Sequence, residues 1–124
     1  MKNIEYEYRN LPIPGGGYVT GFLFDQDREK VLYIRTDIGG CYRFSYENRH
    51  WNSLSESVNM FDLSETYPIA IATDLQQDET LYVISGINKE GTEGTFSISH
   101  DGGKTYTREM ISCFVHGNLN GRGT

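Results

Sequence analysis

The chain has 124 residues, of which 37% are hydrophobic and 13% aromatic, enough apolar content for one packed domain rather than a disordered segment. Its net charge of −6 argues against a nucleic-acid backbone or an anionic membrane as partner and is compatible with a neutral ligand such as a polysaccharide. Nine tyrosines and six phenylalanines favour sheet, and fourteen glycines against three prolines suit many tight turns.

The first ten residues, MKNIEYEYRN, are polar and show no signal peptide, and no later apolar run reaches membrane-spanning length. This reads as a cytoplasmic protein or a chain without its natural leader. Gly15, Gly16 and Gly17 do not fit GxGxxG, and no helical pattern follows to hold a phosphate, so they read as a loop. YVTGFLFD (18–25) is the first predicted strand, and VLYIRTD (31–37) follows the polar turn QDREK. A glycine loop, IGG, leads to CYRFSY (41–46), and the turn ENRH returns the chain to WNSLSES from Trp51. The same order then repeats: PIAIATDL (68–75), the turn QQDE, TLYVISG (80–86), a longer loop INKEGTE, GTFSISH (94–100), and TYTREMI from Thr105.

The repeat decides the architecture. Asp25 matches Asp74, and Leu32 and Tyr33 match Leu81 and Tyr82, all at a spacing of 49. Ser45 is matched with Ser99 at a spacing of 54, the difference being the longer second loop. Four short antiparallel strands per unit of about 50 residues describe a β-propeller blade. The predicted fold is therefore all-β, with blade one over about 18–57, blade two over about 68–111, and 112–124 linking to a missing third blade. Two blades leave open edges, so further blades or self-association are expected to cover them.

SHDGGKTY (99–106) fits the Asp-box pattern S-x-D-x-G-x-T-aromatic. Its mechanics are those of a hairpin: Asp101 accepts backbone hydrogen bonds, Gly103 takes a positive φ, and Thr105 and Tyr106 start the next strand. It marks a blade and carries no chemistry. The 45–51 turn reads as a shortened, degenerate copy. Cys41 and Cys113 lie in different repeats with no CxxC and read as buried free thiols; His50, His100 and His116 lack ligand spacing. No metal or cofactor is expected.

GGGYVTG (15–21), LYIRTDIGGCYRF (32–44) and GNLNGRGT (117–124) occur in order, interleaved with the repeat. Together they resemble the N-terminal end of glycoside hydrolase family 74, with RTD-[IV]-GG-x-YR the specific stretch. The resemblance implies two seven-bladed propellers facing each other across a cleft, of which this chain would supply about two blades. It also implies a secreted full-length protein and inverting endo-β-1,4-glucanase action on xyloglucan-type polysaccharide, with a general base and a general acid. The family's base falls on Asp37, and its acid has no counterpart here, so the isolated chain is expected to be inactive. Cys41, Phe44 and Asn120 depart from the family's usual residues.

Blade topology puts Asp37 on the same face as the 15–17 entry, the 55–67 link, the 86–93 loop and the 112–124 tail, with the Asp-box opposite. Gly39 and Gly40 would let a sugar approach the backbone. Tyr18 and Tyr42 would line the cleft, and Asn120 and Arg122 would offer sugar-type hydrogen bonds; Trp51 reads as blade packing. The alternative for Asp37 is stabilisation of its own turn. The alternative function is a non-catalytic propeller module binding glycan or protein through its loop face. A sialidase reading is disfavoured because Arg35, Arg43 and Arg122 form no carboxylate-gripping set.

Overall fold

A computed structural model describes residues 7, 17–25, 31–57, 67–86 and 94–111. Its eight strands are β1 (Val19–Phe24), β2 (Val31–Thr36), β3 (Cys41–Ser45), β4 (His50–Ser53), β5 (Pro68–Thr73), β6 (Leu81–Ser85), β7 (Gly94–Ser99) and β8 (Thr107–Ile111). They form two four-stranded antiparallel sheets, ordered β1-β2-β3-β4 and β5-β6-β7-β8. Each sheet is a propeller blade built from consecutive hairpins, and no described residue is helical.

The two blades share their irregularities. Pairing slips between Val19 and Gly21 in β1 and between Pro68 and Ala70 in β5, the same two positions 49 residues apart. Such a bulge sharpens strand twist at a fixed point. In β2 and β6 the 49-residue spacing holds, but the outer strands correct the predicted match. Leu32 pairs with Phe44, and Leu81 pairs with Ser99, so the structural equivalent of Ser99 is Phe44 rather than Ser45. The second loop is longer by six residues, not five, and the turns at 44–51 and 99–106 have equal length. Trp51 therefore occupies the place of Tyr106, and at 1% exposure it is packing, as expected.

Strand alternation sorts the side chains. Odd-numbered residues of β2 face the second blade. Tyr33, Cys41 and Leu54 meet Leu81 and Val83 there, flanked by Leu23, Val31, Ile71 and Tyr106. Even-numbered residues form the other cluster, where Leu32 and Ile34 pack with Tyr42, Phe44 and Trp51. Each fully buried large side chain contributes about 1.5–3 kcal/mol, so the interface between blades is a second core rather than a loose contact.

Polar ties brace the interface. Arg43 reaches Glu79 at 3.1 Å, and Arg108 Nη2 donates to the Ser57 carbonyl at 2.9 Å while its guanidinium lies 5.7 Å from the Tyr106 ring centroid. Arg35 donates to Thr20 Oγ1 at 2.8 Å. Arg35 and Arg43 thus hold strands and blades together and do not converge on a shared ligand; Arg122 lies outside the described residues.

Candidate functional site

One end of the sheets gathers the start of β1, the 37–40 turn, Ser55 after β4, and the Tyr67–Gly86 pair. Backbone bonds close it: Asp37 N donates to the Tyr18 carbonyl, Leu54 N to Cys41, and Gly86 N to Tyr67, each at 2.9 Å. The opposite end carries the β5–β6 turn and the 99–106 hairpin, joined by Gly102 N donating to the Glu79 carbonyl at 2.9 Å.

Asp37 is half-buried and uses one carboxylate oxygen for structure. Its Oδ1 accepts from the Tyr18 amide at 2.7 Å and from the Ile38 amide at 2.9 Å. Gly17 has φ 114°, and a Cβ there would lie 2.8 Å from Asp37 Oδ1, so the carboxylate needs glycine at that position. Among the described residues no hydrogen bond reaches Oδ2.

The turn carrying Asp37 is fixed from beneath. Thr36, 1% exposed, donates its hydroxyl to the Gly40 carbonyl and accepts from the Gly39 amide, both at 2.9 Å. Ser55 Oγ accepts from the Cys41 amide at 3.0 Å. Gly40 has φ 83°, and its Cα faces Ser55 so closely that a Cβ would overlap the hydroxyl. Burial pushes the Cys41 thiol up to about 12, so it contributes no thiolate near neutral pH.

The second blade supplies an internal control for this geometry. Tyr67 and Gly86 stand 49 residues after Tyr18 and Asp37, and they make the same backbone bond with the same 2.9 Å length. The position of the carboxylate is there taken by glycine. A blade therefore closes this corner without an acid, and the Asp37 side chain is an addition to the frame.

The sequence candidates divide accordingly. Tyr18 is 71% exposed and adjoins Asp37 through its own backbone. Gly39 is half-buried in the same turn. The sugar-approach rationale for Gly40 is corrected: Ser55 fills the space over it. Tyr42 is corrected as a cleft residue: it pairs with Ile34, so alternation turns it into the even-numbered cluster, where it is 6% exposed. Asn120 and Arg122 lie outside the described residues, as do Gly15, Gly16 and Cys113. Sequence reasoning missed Ile38, an apolar side chain 52% exposed at the turn tip, and the supporting pair Thr36 and Ser55. A hydroxyl directly before an Asp-x-Gly turn was a readable signal for Thr36; Ser55 is brought in from fourteen residues away, which no local pattern reveals.

Asp101 is occupied by its own hairpin. It accepts from the Thr105 hydroxyl at 2.6 Å, the Thr105 amide at 2.9 Å, the Ser99 hydroxyl at 2.8 Å and the Lys104 amide at 3.0 Å. The Thr105 hydroxyl, then the Thr105 amide and the Ser99 hydroxyl, hold its carboxyl well below the usual carboxylate range. A groove of about 750 Å³ runs past this hairpin along Arg43, Tyr46, Asn52 and Glu56, at the end away from Asp37. Among the described residues no cluster of His, Cys, Asp and Glu is placed to hold a metal ion, and no helix is long and apolar enough to cross a membrane.

No protein-family model matches the chain. It is 33% identical over 103 residues to a probable oligoxyloglucan-reducing end-specific xyloglucanase of Neosartorya fischeri, covering 83% of this chain and 13% of that protein. Its fold matches the GH74 xyloglucanase of Xanthomonas campestris with a TM-score of 0.69 at 30% identity, covering 83% of this chain and 15% of that one. It also matches the GH74 enzyme of Niastella koreensis with a TM-score of 0.64 at 30% identity, covering 82% and 15%. The chain thus spans about one seventh of the length of these relatives.

Proposed function

We propose that this chain, a relative of the family 74 glycoside hydrolases over that stretch of their length, forms one wall of a polysaccharide cleft and supplies the general base for hydrolysis of xyloglucan-type β-glucan. Asp37 is the base. The observation that carries this reading is the asymmetry between the blades: the frame closes with Gly86 in one and with Asp37 in the other, so the carboxylate serves something besides the fold. The side chains of Tyr18 and Ile38, the residues whose amides Oδ1 accepts, are both exposed, one aromatic and one aliphatic surface of the kind that suits the face of a sugar ring.

In an inverting hydrolysis the base takes a proton from water as that water attacks the anomeric carbon, while an acid on the other wall protonates the departing oxygen. The two carboxyl groups then stand about 6.5–9.5 Å apart across the scissile bond. The acid of such a pair stands on the facing wall of the cleft, which another part of the full enzyme contributes. By itself the chain binds oligosaccharide weakly and does not hydrolyse it, because leaving-group protonation alone is worth about 10²–10⁴-fold in rate.

The test is a chimera in which this chain replaces the matching stretch of the Xanthomonas campestris xyloglucanase. It should release reducing ends from xyloglucan with inverted anomeric configuration, read by proton NMR at early times. Asp37→Asn in that chimera should lower kcat by at least about 100-fold. Hydrolysis at the parent rate by Asp37→Asn, or by the isolated chain, would overturn the assignment.

A further inference from the structure

We infer that Asp37 divides its carboxylate between two tasks, and that Thr36 is the positioning residue that keeps them apart. The inference rests on the reading of Asp37 as the base. Oδ1 is committed to the Tyr18 and Ile38 amides and has Gly17 against it, so it is fixed in direction as well as place. With one oxygen pinned, the plane of the carboxylate is set, and Oδ2 is the atom that takes the proton. A carboxylate free to rotate would present either oxygen at a range of distances from the water. A pinned one presents a single oxygen in one direction, which is the source of rate in a preorganised site.

The pin is only as firm as the turn that bears it. Ile38 N belongs to that turn, and the turn is held by the Thr36 hydroxyl, which bridges Gly39 N and Gly40 O from a buried position. Thr36 is buried, out of reach of a ligand on the surface of the turn. It acts through Asp37 by stopping the 37–40 backbone from tilting. Ser55 braces the far side by taking the Cys41 amide. In the second blade the position of Thr36 is Ser85, also buried and also a hydroxyl, yet no carboxylate follows it.

Thr36→Val keeps the shape and removes the bridge; Thr36→Ser keeps the bridge and removes a methyl group. In the chimera described above, Thr36→Val should lower kcat by roughly 10–100-fold, the scale of a displacement of about 1 Å in a reacting group. KM should stay within about threefold, and Thr36→Ser should recover kcat to within about threefold, since ligand contacts are untouched and the bridge is restored. Equal kcat for Thr36→Val and the native residue, a change in KM alone, or a Ser variant as slow as Val would overturn the proposal.

The isolated chain gives a second measurement that needs no turnover. Thr36→Val should speed amide hydrogen exchange at Ile38 and Gly39 by at least about tenfold while Leu81 and Val83 in the interface core exchange as before, because only the local turn opens. Unchanged exchange at Ile38 and Gly39 would refute the bridge. The two failures are distinguishable: activity surviving Asp37→Asn removes the base, whereas an inactive Asp37→Asn beside a fully active Thr36→Val removes only the positioning role.

Discussion

Gly102 and Gly103 sit side by side in the 99–106 hairpin, with φ of 72° and 91°, yet substitution by alanine should affect them very differently. Both changes force an L-residue into left-handed backbone, costing about 1–2 kcal/mol each. At Gly102 the new methyl meets the carboxylate tip of Glu79, a partly exposed side-chain end that swings aside by loosening its ion pair with Arg43, a surface contact of small worth. At Gly103 it meets Leu54 Cδ2 at 2.7 Å, Leu54 Cβ at 3.2 Å and Tyr106 Oη at 3.0 Å. Leu54 belongs to the other blade and is buried in the interface core, so it has nowhere to go. Overpacking of that kind adds about 1–3 kcal/mol.

Gly103→Ala should thus cost about 2–5 kcal/mol against about 1–2 for Gly102→Ala. For a chain of this size that is a fall in Tm of roughly 8–20 °C against roughly 4–8 °C. Circular dichroism melts of the two variants check it. A double-mutant cycle gives the sharper result: Leu54→Ala removes the obstacle, so Gly103→Ala should cost about 1–2 kcal/mol less in that background. Strict additivity of Leu54→Ala and Gly103→Ala, or a larger loss for Gly102→Ala, would refute the claim that the hairpin is locked against the first blade.

Acid should destabilise the chain through its turn carboxylates. Asp101 is held low first by the Thr105 hydroxyl and Asp74 first by the Tyr82 hydroxyl, both below the ordinary value of 3.8. Because the folded values are depressed, the contribution is complete above the unfolded value and is lost as pH falls below it. Tm measured from pH 7 to pH 3 should therefore be level to about pH 5 and drop below pH 4, with a shallower drop in Asp101→Asn; a Tm that holds or rises towards pH 3 would contradict this. Cys41, buried with its thiol raised to about 12, should resist iodoacetamide at pH 8 in the folded chain and react once guanidinium unfolds it. Peptide mass spectrometry reads this directly, and rapid native labelling of Cys41 would show that the interface core opens.

The blades were legible because their signals are local and doubled. Alternating apolar strands, turn residues and a spacing of 49 located the sheets, and Asp101 and Ser99 take their side-chain hydrogen bonds from within SHDGGKTY itself. The errors came where a strand's face or partner had to be known. The match of Ser45 to Ser99 followed residue identity, whereas register makes Phe44 the equivalent, a shift of one that sends every side chain of β3 to the other face. Tyr42 follows the glycine loop in sequence, which by itself suggests a place beside it. Its pairing with Ile34 turns it inward instead. Topology puts Ser55 and Gly17 on the face of Asp37, but their contacts are not legible in sequence, because each forms only after the sheet has closed.

Asp37 shows where the choice between a structural and a functional aspartate becomes a question about atoms. The sequence offered turn stabilisation and catalysis as rivals. Oδ1 does what a turn-stabilising aspartate does, accepting the Ile38 amide beside it and the Tyr18 amide across the bulged strand. Yet Gly86 closes the same corner of the second blade through the same backbone bond, so the corner does not require the carboxylate. Asparagine at position 37 would keep an oxygen for both amides and remove the base; alanine would remove both. If Oδ1 is an anchor and Oδ2 a base, Asp37→Asn should melt within about 2 °C of the native chain, while Asp37→Ala should lose about 0.5–1.5 kcal/mol with the two exposed amide bonds. Equal melting of all three would mean the anchor is idle. Equal loss in Asn and Ala would mean that the charge itself holds the turn, and the carboxylate would then be structural through both of its oxygens.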